Sequence, residues 1–282
     1  LYRVASLQMA AKAPGDAMYS LDKALKGNAA HLPSRLLLTE LQVRNGKLED
    51  ASAAAKTLLA EHPELAAAHR LAGDVLLMSG SAQAATARYR RALELEPESK
   101  HALRVYGATS VAGEHSEANE FLQTWVNAHP DDLVSTRTLA TGHLAAGRMA
   151  AARVLFERII AKNPLDASAL NYLAFILDRA KDPAAMGFAM RAVNAAPNDP
   201  LILDTVGWLL VRQGKVEQGL SRLRDAHSRA ASNPEIRYHI AVALIALARP
   251  DEARRELQAA LQSPVPFMGI GDARKLLAEL EQ

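Results

Sequence analysis

The 282-residue chain is 49% hydrophobic, 23% charged and only 5% aromatic, a composition too apolar for an intrinsically disordered protein. Its 33 basic and 31 acidic residues give a net charge of +2 and form no dense basic run, which argues against a nucleic-acid-binding protein. The absence of cysteine excludes disulfides, thiolate metal sites and a cysteine nucleophile.

Alanine occupies 56 positions, far more than in an ordinary globular protein. Because alanine is the strongest helix former, and because few stretches alternate β-branched and polar residues, the composition predicts an all-α fold. The longest apolar run, residues 240–248, is too short to cross a bilayer, so we predict no transmembrane segment. No charged or apolar leader opens the chain, and we expect any targeting peptide to have been removed ahead of Leu1.

An internal repeat of 33 or 34 residues runs along the chain in four separate columns of residues. Prolines recur at Pro63, Pro97, Pro130, Pro164 and Pro197, and glycines at Gly46, Gly80, Gly113, Gly147 and Gly214. One column of small residues is Ala51, Ala85, Ala118, Ala152, Ala185, Gly219 and Ala253. The other is Thr39, Gly73, Gly107, Ala140, Ala174, Gly207 and Ala241. A shared period of this length indicates a stacked repeat architecture.

Each period predicts two helices that are joined by the glycine and followed by the proline. Acidic and amide side chains stand where the first helices begin and are expected to cap them: Asp131, Asp132, Asp166, Asp199 and Asn233. Pro200 and Pro234 suit the first helical turn. One helix pair cannot bury its apolar face alone, so successive pairs are expected to stack into a solenoid.

The period, the paired small columns, the large residues Tyr89 and Phe156 and the closing proline resemble the tetratricopeptide repeat. The resemblance implies a right-handed superhelical solenoid of antiparallel helix pairs forming a single domain over residues 1–282. We divide it into a degenerate repeat over 1–31, seven repeats over 32–263 and a capping helix over 271–282. Residues 181–183 and 249–250 depart from the glycine turn.

In this family the first helix of each pair lines the concave side of the solenoid. One position on those helices holds Arg70, Arg104, Arg137, Asn171, Asp204 and Tyr238 in successive repeats. Four residues further on, two of the helices carry Phe175 and Trp208. We therefore predict a peptide-binding groove with a row of arginines and an exposed aromatic group, Phe175, Trp208 and Tyr238. The alternatives are that Arg70 pairs with Asp74, and that Trp208 packs between repeats.

No catalytic pattern was found, and we predict a protein that is not an enzyme and that has no metal site and no cofactor. The nine histidines never form a zinc-binding H-E-x-x-H pair, and the acidic pair Asp131–Asp132 reads better as a helix cap. His143 falls in a column of leucines and is expected to be packed and hydrogen-bonded. The expected partner is a protein or a peptide.

Residues 203–214 and 233–241, together with 171–174, resemble the tetratricopeptide proteins of the PEP-CTERM/exosortase system. That resemblance implies a scaffold in exopolysaccharide export or protein sorting at a bacterial envelope. It suggests a periplasmic or outer-membrane-associated location, with the cytoplasm as the alternative. Two other functions stay open: a self-assembling structural subunit that forms homo-oligomers, and a polysaccharide-binding module that uses the aromatic group.

Overall fold

The computed structural model describes residues 1–281 and forms two compact units, Leu1–Leu139 and the part that begins at Ala140. Within residues 1–281 it contains seventeen α-helices and no β-strand, which confirms the all-α prediction. The helices follow one another through turns of a few residues, as expected for stacked helix pairs.

Unit 1 consists of four helix pairs and the beginning of a ninth helix. The helices are α1 (Tyr2–Ala10), α2 (Pro14–Gly27), α3 (Leu32–Arg44), α4 (Leu48–Glu61), α5 (Ala66–Met78), α6 (Ala82–Leu95), α7 (Ser99–Val111), α8 (His115–Ala128) and α9 (Leu133–Ala145). From α1 to α8 each helix packs on the next, and the first helices α3 and α5 also contact each other. Within residues 1–31, α1 and α2 pack on each other as a helix pair.

Unit 2 continues the pattern from Ala140. Its helices after α9 are α10 (Met149–Lys162), α11 (Ala167–Arg179), α12 (Ala185–Ala195), α13 (Pro200–Arg212), α14 (Val216–Arg229), α15 (Pro234–Ala246), α16 (Pro250–Leu261) and α17 (Ile270–Leu280). The first helices α11, α13 and α15 contact one another in sequence, and α17 packs on α16. The helix α17 overlaps the region 271–282 for which the sequence analysis predicts a capping helix, and Gln282 lies outside the described residues.

The small residues of the two columns lie where paired helices meet. The alanines among them are buried, and so is Thr39. At Gly73 an added Cβ would lie 2.5 Å from the Tyr89 ring, and at Gly219 it would lie 2.7 Å from the Gly207 carbonyl oxygen. Because these positions carry little or no side chain, the helix backbones approach closely and the large residues of the partner helix fill the space.

The turn inside each pair has one residue in the left-handed region, whether or not that residue is glycine. The five glycines of the turn column have φ between +71° and +85°. Where the sequence departs from glycine, Lys12, Lys181 and Ala248 adopt φ of 58°, 57° and 55° at the equivalent places. The turn geometry is thus preserved at a conformational cost, because a Cβ disfavours this region.

The predicted N-caps are present at four of the first helices. Asp132, Asp166, Asp199 and Asn233 each accept a hydrogen bond from a backbone N–H in the first turn of α9, α11, α13 and α15. Pro200 and Pro234 occupy the first positions of their helices, as predicted. These caps fix where the first helices begin, and so they fix which residues share a face.

Candidate functional site

The first two arginines of the predicted row are held by carboxylates in unit 1. Arg70 donates from Nη1 to Asp74 Oδ2 and from Nη2 to Glu40 Oε2, both at 3.0 Å, and only 15% of its side chain is exposed. Arg104 donates from Nε to Asp74 Oδ1 at 3.1 Å and retains 36% exposure. The pairing of Arg70 with Asp74, given above as the alternative to a free cation, is therefore present.

Asp74 is the centre of this network and joins three helices. Besides the two arginines, it accepts a hydrogen bond from the Tyr89 hydroxyl at 2.8 Å. Burial raises the pKa of Tyr89, and the adjacent carboxylate raises it further, so the phenol remains a neutral donor. Arg137, the third member of the row, lies on α9 and also interacts with other groups of the chain. Arg70 and Arg104 thus link helices of unit 1 through carboxylates.

In unit 2 the same column of first-helix residues contains Asp204, which contacts a histidine that was not among the predicted site residues. Asp204 on α13 lies 2.8 Å from Nδ1 of His239 on α15, and both side chains are about nine-tenths buried. The Trp208 ring stacks on the His239 ring with a centroid separation of 4.3 Å and an interplanar angle of 20°. Asp204 and Trp208 are four residues apart on α13, so one helix face supplies both contacts to the imidazole.

Tyr238 lies beside this group but is covered. Its ring is 9% exposed, with centroids 6.3 Å from Trp208 and 6.0 Å from Phe267. The segment between α16 and α17 closes over it, and a Cβ on Gly269 would approach the Tyr238 ring to 2.8 Å. The expectation of an exposed Tyr238 is therefore wrong, because a loop outside the repeat pattern packs on it.

Phe175 and Trp208 are half-buried on the first helices α11 and α13, at equivalent places. Asn171, one helical turn before Phe175, has a buried Oδ1 atom without a hydrogen-bond partner within the described residues. Asp178, one turn after Phe175 on the same face, pairs with Arg212 of α13 at 2.5 Å. The first helices of unit 2 thus present aromatic rings between polar groups.

Glu235 and His239 are the functional candidates that sequence reasoning missed. They lie four residues apart on α15, which places them on the same face of that helix. Burial raises the pKa of Glu235, an effect that nearby His239 opposes and Asp204 strengthens. The available signal was a polar pair one turn apart in a mostly apolar helix. It was overlooked because His239 lies one position beyond the repeat column of Tyr238.

Another polar cluster in unit 1 lies at the ends of helices. Asp132 Oδ2 accepts hydrogen bonds from Ser99 Oγ at 2.5 Å and from Trp125 Nε1 at 2.8 Å, while Trp125 stacks on His129 at 3.7 Å. These residues line a shallow pocket of about 430 Å³. The groups that donate to Asp132, namely Ser99, Trp125 and the backbone N–H of Ser135, cap or join helices.

No group of three metal-ligating side chains occurs among the described residues. Nor is any helix of residues 1–281 long and apolar enough to span a bilayer. His143 is half-buried and accepts a hydrogen bond from Arg148 Nε at 2.9 Å, which confirms the predicted packed histidine. Burial lowers the pKa of His143, and the Arg148 charge lowers it further.

Comparison with known families agrees with the repeat. One family model described as a tetratricopeptide repeat matches residues 8–75 and 210–264, and a second with the same description matches residues 137–200. Together they cover well over half of the chain. Among curated proteins, the chain is 30% identical over 162 residues to the TPR repeat-containing protein PA4667 of Pseudomonas aeruginosa. The match covers 55% of this chain but only 27% of that relative.

Solved structures with the same fold have low sequence identity to this chain. A chain of the APC/C hetero-tetramer Cut9–Hcn1 is similar with a TM-score of 0.62 and 17% identity, over 95% of this chain and 53% of its own. Yeast Tom70 is similar with a TM-score of 0.63 and 13% identity, and the match covers 96% of this chain and 58% of the Tom70 chain. A tetratricopeptide repeat protein from Parabacteroides merdae is similar with a TM-score of 0.52 and 13% identity, and the match covers 99% of this chain and 97% of that protein's chain. At these identities the similarity shows the fold alone.

Proposed function

We propose that this chain, which belongs to the tetratricopeptide repeat family, is a non-catalytic scaffold that binds a peptide or protein segment along its first helices. The observation that carries the proposal is the half-buried indole of Trp208, which lies on a first helix of unit 2 and is stacked on a histidine held by Asp204. Rigid aromatic side chains beside polar groups are the usual anchors of protein recognition.

The geometry of this part of unit 2 supports the proposal through preorganisation. The Asp204–His239 hydrogen bond and the stacked ring fix one side of Trp208, so a ligand does not have to order the indole when it binds. Phe175 lies at the equivalent place on the preceding first helix and extends the apolar surface. The buried Tyr238 contributes by supporting this group from beneath.

In unit 1 we propose different roles for the arginines. Arg70, with two carboxylate partners and little exposure, holds α3 and α5 in register. Arg104 keeps a third of its side chain exposed and is the arginine that an acidic partner residue can reach. Arg137 is proposed to continue this surface along α9.

We further propose that the scaffold works in a bacterial envelope assembly for exopolysaccharide export or protein sorting. The basis is the resemblance of residues 203–214 and 233–241 to tetratricopeptide proteins of that system. Identification of the partner tests the process, because components of a secretion assembly are expected among the crosslinked proteins. A partner from a cytoplasmic pathway would contradict the envelope role.

Site-specific crosslinking in the native host tests the binding surface. A photoreactive amino acid at Phe175 should crosslink a discrete partner, and Trp208→Ala in the same chain should reduce the yield at least about tenfold, as expected for a buried anchor. The matched position is Val154, an exposed residue of the second helix α10. Crosslinking from Val154 to the same partner with equal yield, or full yield in the Trp208→Ala chain, would contradict the proposal.

A polysaccharide ligand is a second candidate because the accessible indole of Trp208 could stack on a sugar ring. Titration with the host's exopolysaccharide fragments should then change the Trp208 fluorescence, with a Trp208→Phe variant as the matched control. Trp125, which is hydrogen-bonded to Asp132 in unit 1, supplies the unresponsive reference. A titration that leaves the Trp208 emission unchanged would remove this candidate.

Self-association is the third candidate, and the exposed apolar residues of α1 favour it. Leu1, Val4 and Leu7 are each about half exposed or more and follow one side of that helix. If this surface joins two copies, light scattering should show a mass that rises with concentration and a return to the monomer on Leu7→Glu. A monomer at every concentration would exclude it.

A further inference from the structure

One ring nitrogen of His239, Nδ1, is hydrogen-bonded, and the other, Nε2, forms no hydrogen bond within the described residues. Asp204 carries only acceptor atoms when ionised, so in the neutral ring the proton resides on Nδ1 and is donated to Asp204 Oδ1 over 2.8 Å. Nε2 then carries a lone pair. Within the described residues Nε2 forms no hydrogen bond, and it is not among the fully buried atoms, although the residue as a whole is 8% exposed. The ring therefore reaches solvent through an acceptor atom.

A second acceptor lies one helical turn earlier on α15. The carboxyl group of Glu235 forms no ion pair within residues 1–281, although it is half-buried and lies near His239 and Asp204. Its pKa is raised by burial, which means that the carboxylate is poorly solvated in the folded chain. A cation placed beside it would restore the stabilisation that water does not provide.

An aromatic ring completes this surface. Trp208 is stacked on His239 through one face of the indole and remains half-buried, so the rest of the ring is available to a ligand. The face of an aromatic ring is electron-rich, and tryptophan attracts cations more strongly than the other aromatic residues do. An indole stacked on an imidazole that has a free acceptor, with a carboxylate one helical turn from that imidazole on α15, therefore favours a ligand that carries a positive charge and N–H donors.

The arginines on the same helices do not place a positive charge beside Glu235, because both are paired with other carboxylates. Arg212 of α13 pairs with Asp178 of α11, and Arg237 of α15 pairs with Glu256 of α16 at 2.8 Å. Burial raises the pKa of Tyr238, and the negative charge of Asp272 on α17 raises it further. Both arginines are thus paired with other carboxylates, and no arginine or lysine pairs with Glu235 among the described residues.

We propose that Trp208, Glu235 and Nε2 of His239 form a subsite for a lysine or arginine side chain of the bound segment. The subsite rests on the proposed function, and it names the chemistry of the segment at this place: a cation that stacks on the indole and donates to the carboxylate and to the imidazole. Asp204 acts as a positioning residue that fixes the tautomer and the orientation of the ring.

The subsite can be tested by NMR on the whole chain without a known partner. The two tryptophans give separate indole N–H signals, Trp208 as the reporter and Trp125 as the internal reference. Titration with N-acetyl-arginine amide should move the Trp208 signal to saturation in the millimolar range and leave Trp125 unmoved. N-acetyl-citrulline amide, which has nearly the same shape without the charge, should bind at least about fivefold more weakly, as expected for loss of a charge-assisted contact.

Glu235→Gln should likewise weaken binding of the arginine probe about fivefold, while thermal unfolding checks that the chain remains folded. The matched control is Glu217→Gln, an exposed glutamate of α14 that should leave the affinity unchanged. Equal response to the citrulline probe, an unchanged affinity in Glu235→Gln or equal movement of the Trp125 signal would each overturn the subsite. The scaffold function would survive such a result if crosslinking from Phe175 still depended on Trp208, so the two proposals fail separately.

Discussion

At the scale of single residues, one carboxylate, that of Asp74, joins two neighbouring repeats of unit 1. Asp74 receives Arg70, Arg104 and Tyr89, and its two oxygens thereby connect α5, α6 and α7. The sequence suggested the pairing with Arg70, since the two residues are four apart on one helix. The sequence could not show the hydrogen bond from the Tyr89 hydroxyl. Tyr89 is fifteen residues away, and in the repeat it occupies a position for a large apolar side chain.

Asp74→Asn should lower the free energy of unfolding by about 2–3 kcal/mol, because Arg104 then loses its counter-charge and Arg70 keeps only that of Glu40. Urea unfolding measures the change. Asp225→Asn is the matched control: its exposed carboxylate lies 3.9 Å from Arg222, and its loss should cost less than about 0.5 kcal/mol. Equal losses in the two variants would contradict a special role for Asp74.

Asp132 predicts a dependence of stability on acid pH. Burial alone would raise the pKa of its carboxyl group, but hydrogen bonds from Ser135, Ser99 and Trp125 outweigh that effect and lower the pKa to about 2. The unfolded chain binds the proton more readily, so the stabilisation is complete above about pH 4 and is lost as the pH falls from about 4 to about 2. We expect roughly 1 kcal/mol from this partly exposed group, because solvent screens it.

The measurement for Asp132 is the unfolding free energy between pH 2 and pH 6 in the wild-type chain and in Asp132→Asn. The amide can still accept at the cap but does not titrate, so the variant should lose less stability on acidification than the wild type does. Parallel curves for the two proteins would show that Asp132 does not contribute to the acid dependence.

At the scale of helices, close packing of the pairs depends on where side chains are absent. Gly207 of α13 and Gly219 of α14 face each other, and a Cβ on either would meet the other's carbonyl oxygen at 3.0 Å or less. The repeat predicted small residues at both positions. The repeat did not show at which of these positions the two backbones touch and at which an added Cβ would meet no atom. That difference depends on the neighbouring side chains of each helix pair.

Two alanine substitutions in one repeat column should therefore have opposite effects. Gly207→Ala should destabilise the chain by about 1–3 kcal/mol, because its Cβ would lie 2.7 Å from Leu223 Cγ. Gly107→Ala, at the equivalent place in α7, meets nothing within 4 Å and should stabilise by up to about 1 kcal/mol through helix propensity. Thermal unfolding of the two variants measures both changes in stability. If both variants were destabilised, or both stabilised, the packing argument would be contradicted.

At the scale of the whole molecule, each helix packs mainly on its neighbours in sequence, and the chain forms two compact units. Stability in such an array is close to a sum of repeat and nearest-neighbour terms. The core of unit 2 illustrates this, since Leu223, Ile236, Leu244 and Leu257 come from three consecutive helices. Damage to one repeat should therefore spread no further than the adjacent helices.

Leu223→Ala tests this locality, because Leu223 is fully buried in α14. The cavity should cost about 2–5 kcal/mol, and amide hydrogen exchange should accelerate in α13 to α16 while α3 to α6 keep their protection. Leu165→Ala, at a position that is 73% exposed, is the control and should leave exchange unchanged. Equal loss of protection along residues 1–281 would indicate a single cooperative unit instead.

The sequence by itself determined the helices, their pairing, the turns and the caps, because each of these depends on residues within one period. Even the non-glycine turns at Lys12, Lys181 and Ala248 keep the positive φ that the period requires. Only the tertiary structure decided which groups face each other across repeats: Asp74 with Arg104, Asp204 with His239, and Tyr238 with the loop that covers it. Those contacts join side chains about thirty residues apart, and their partners depend on rotamers and loop paths that no periodic pattern encodes.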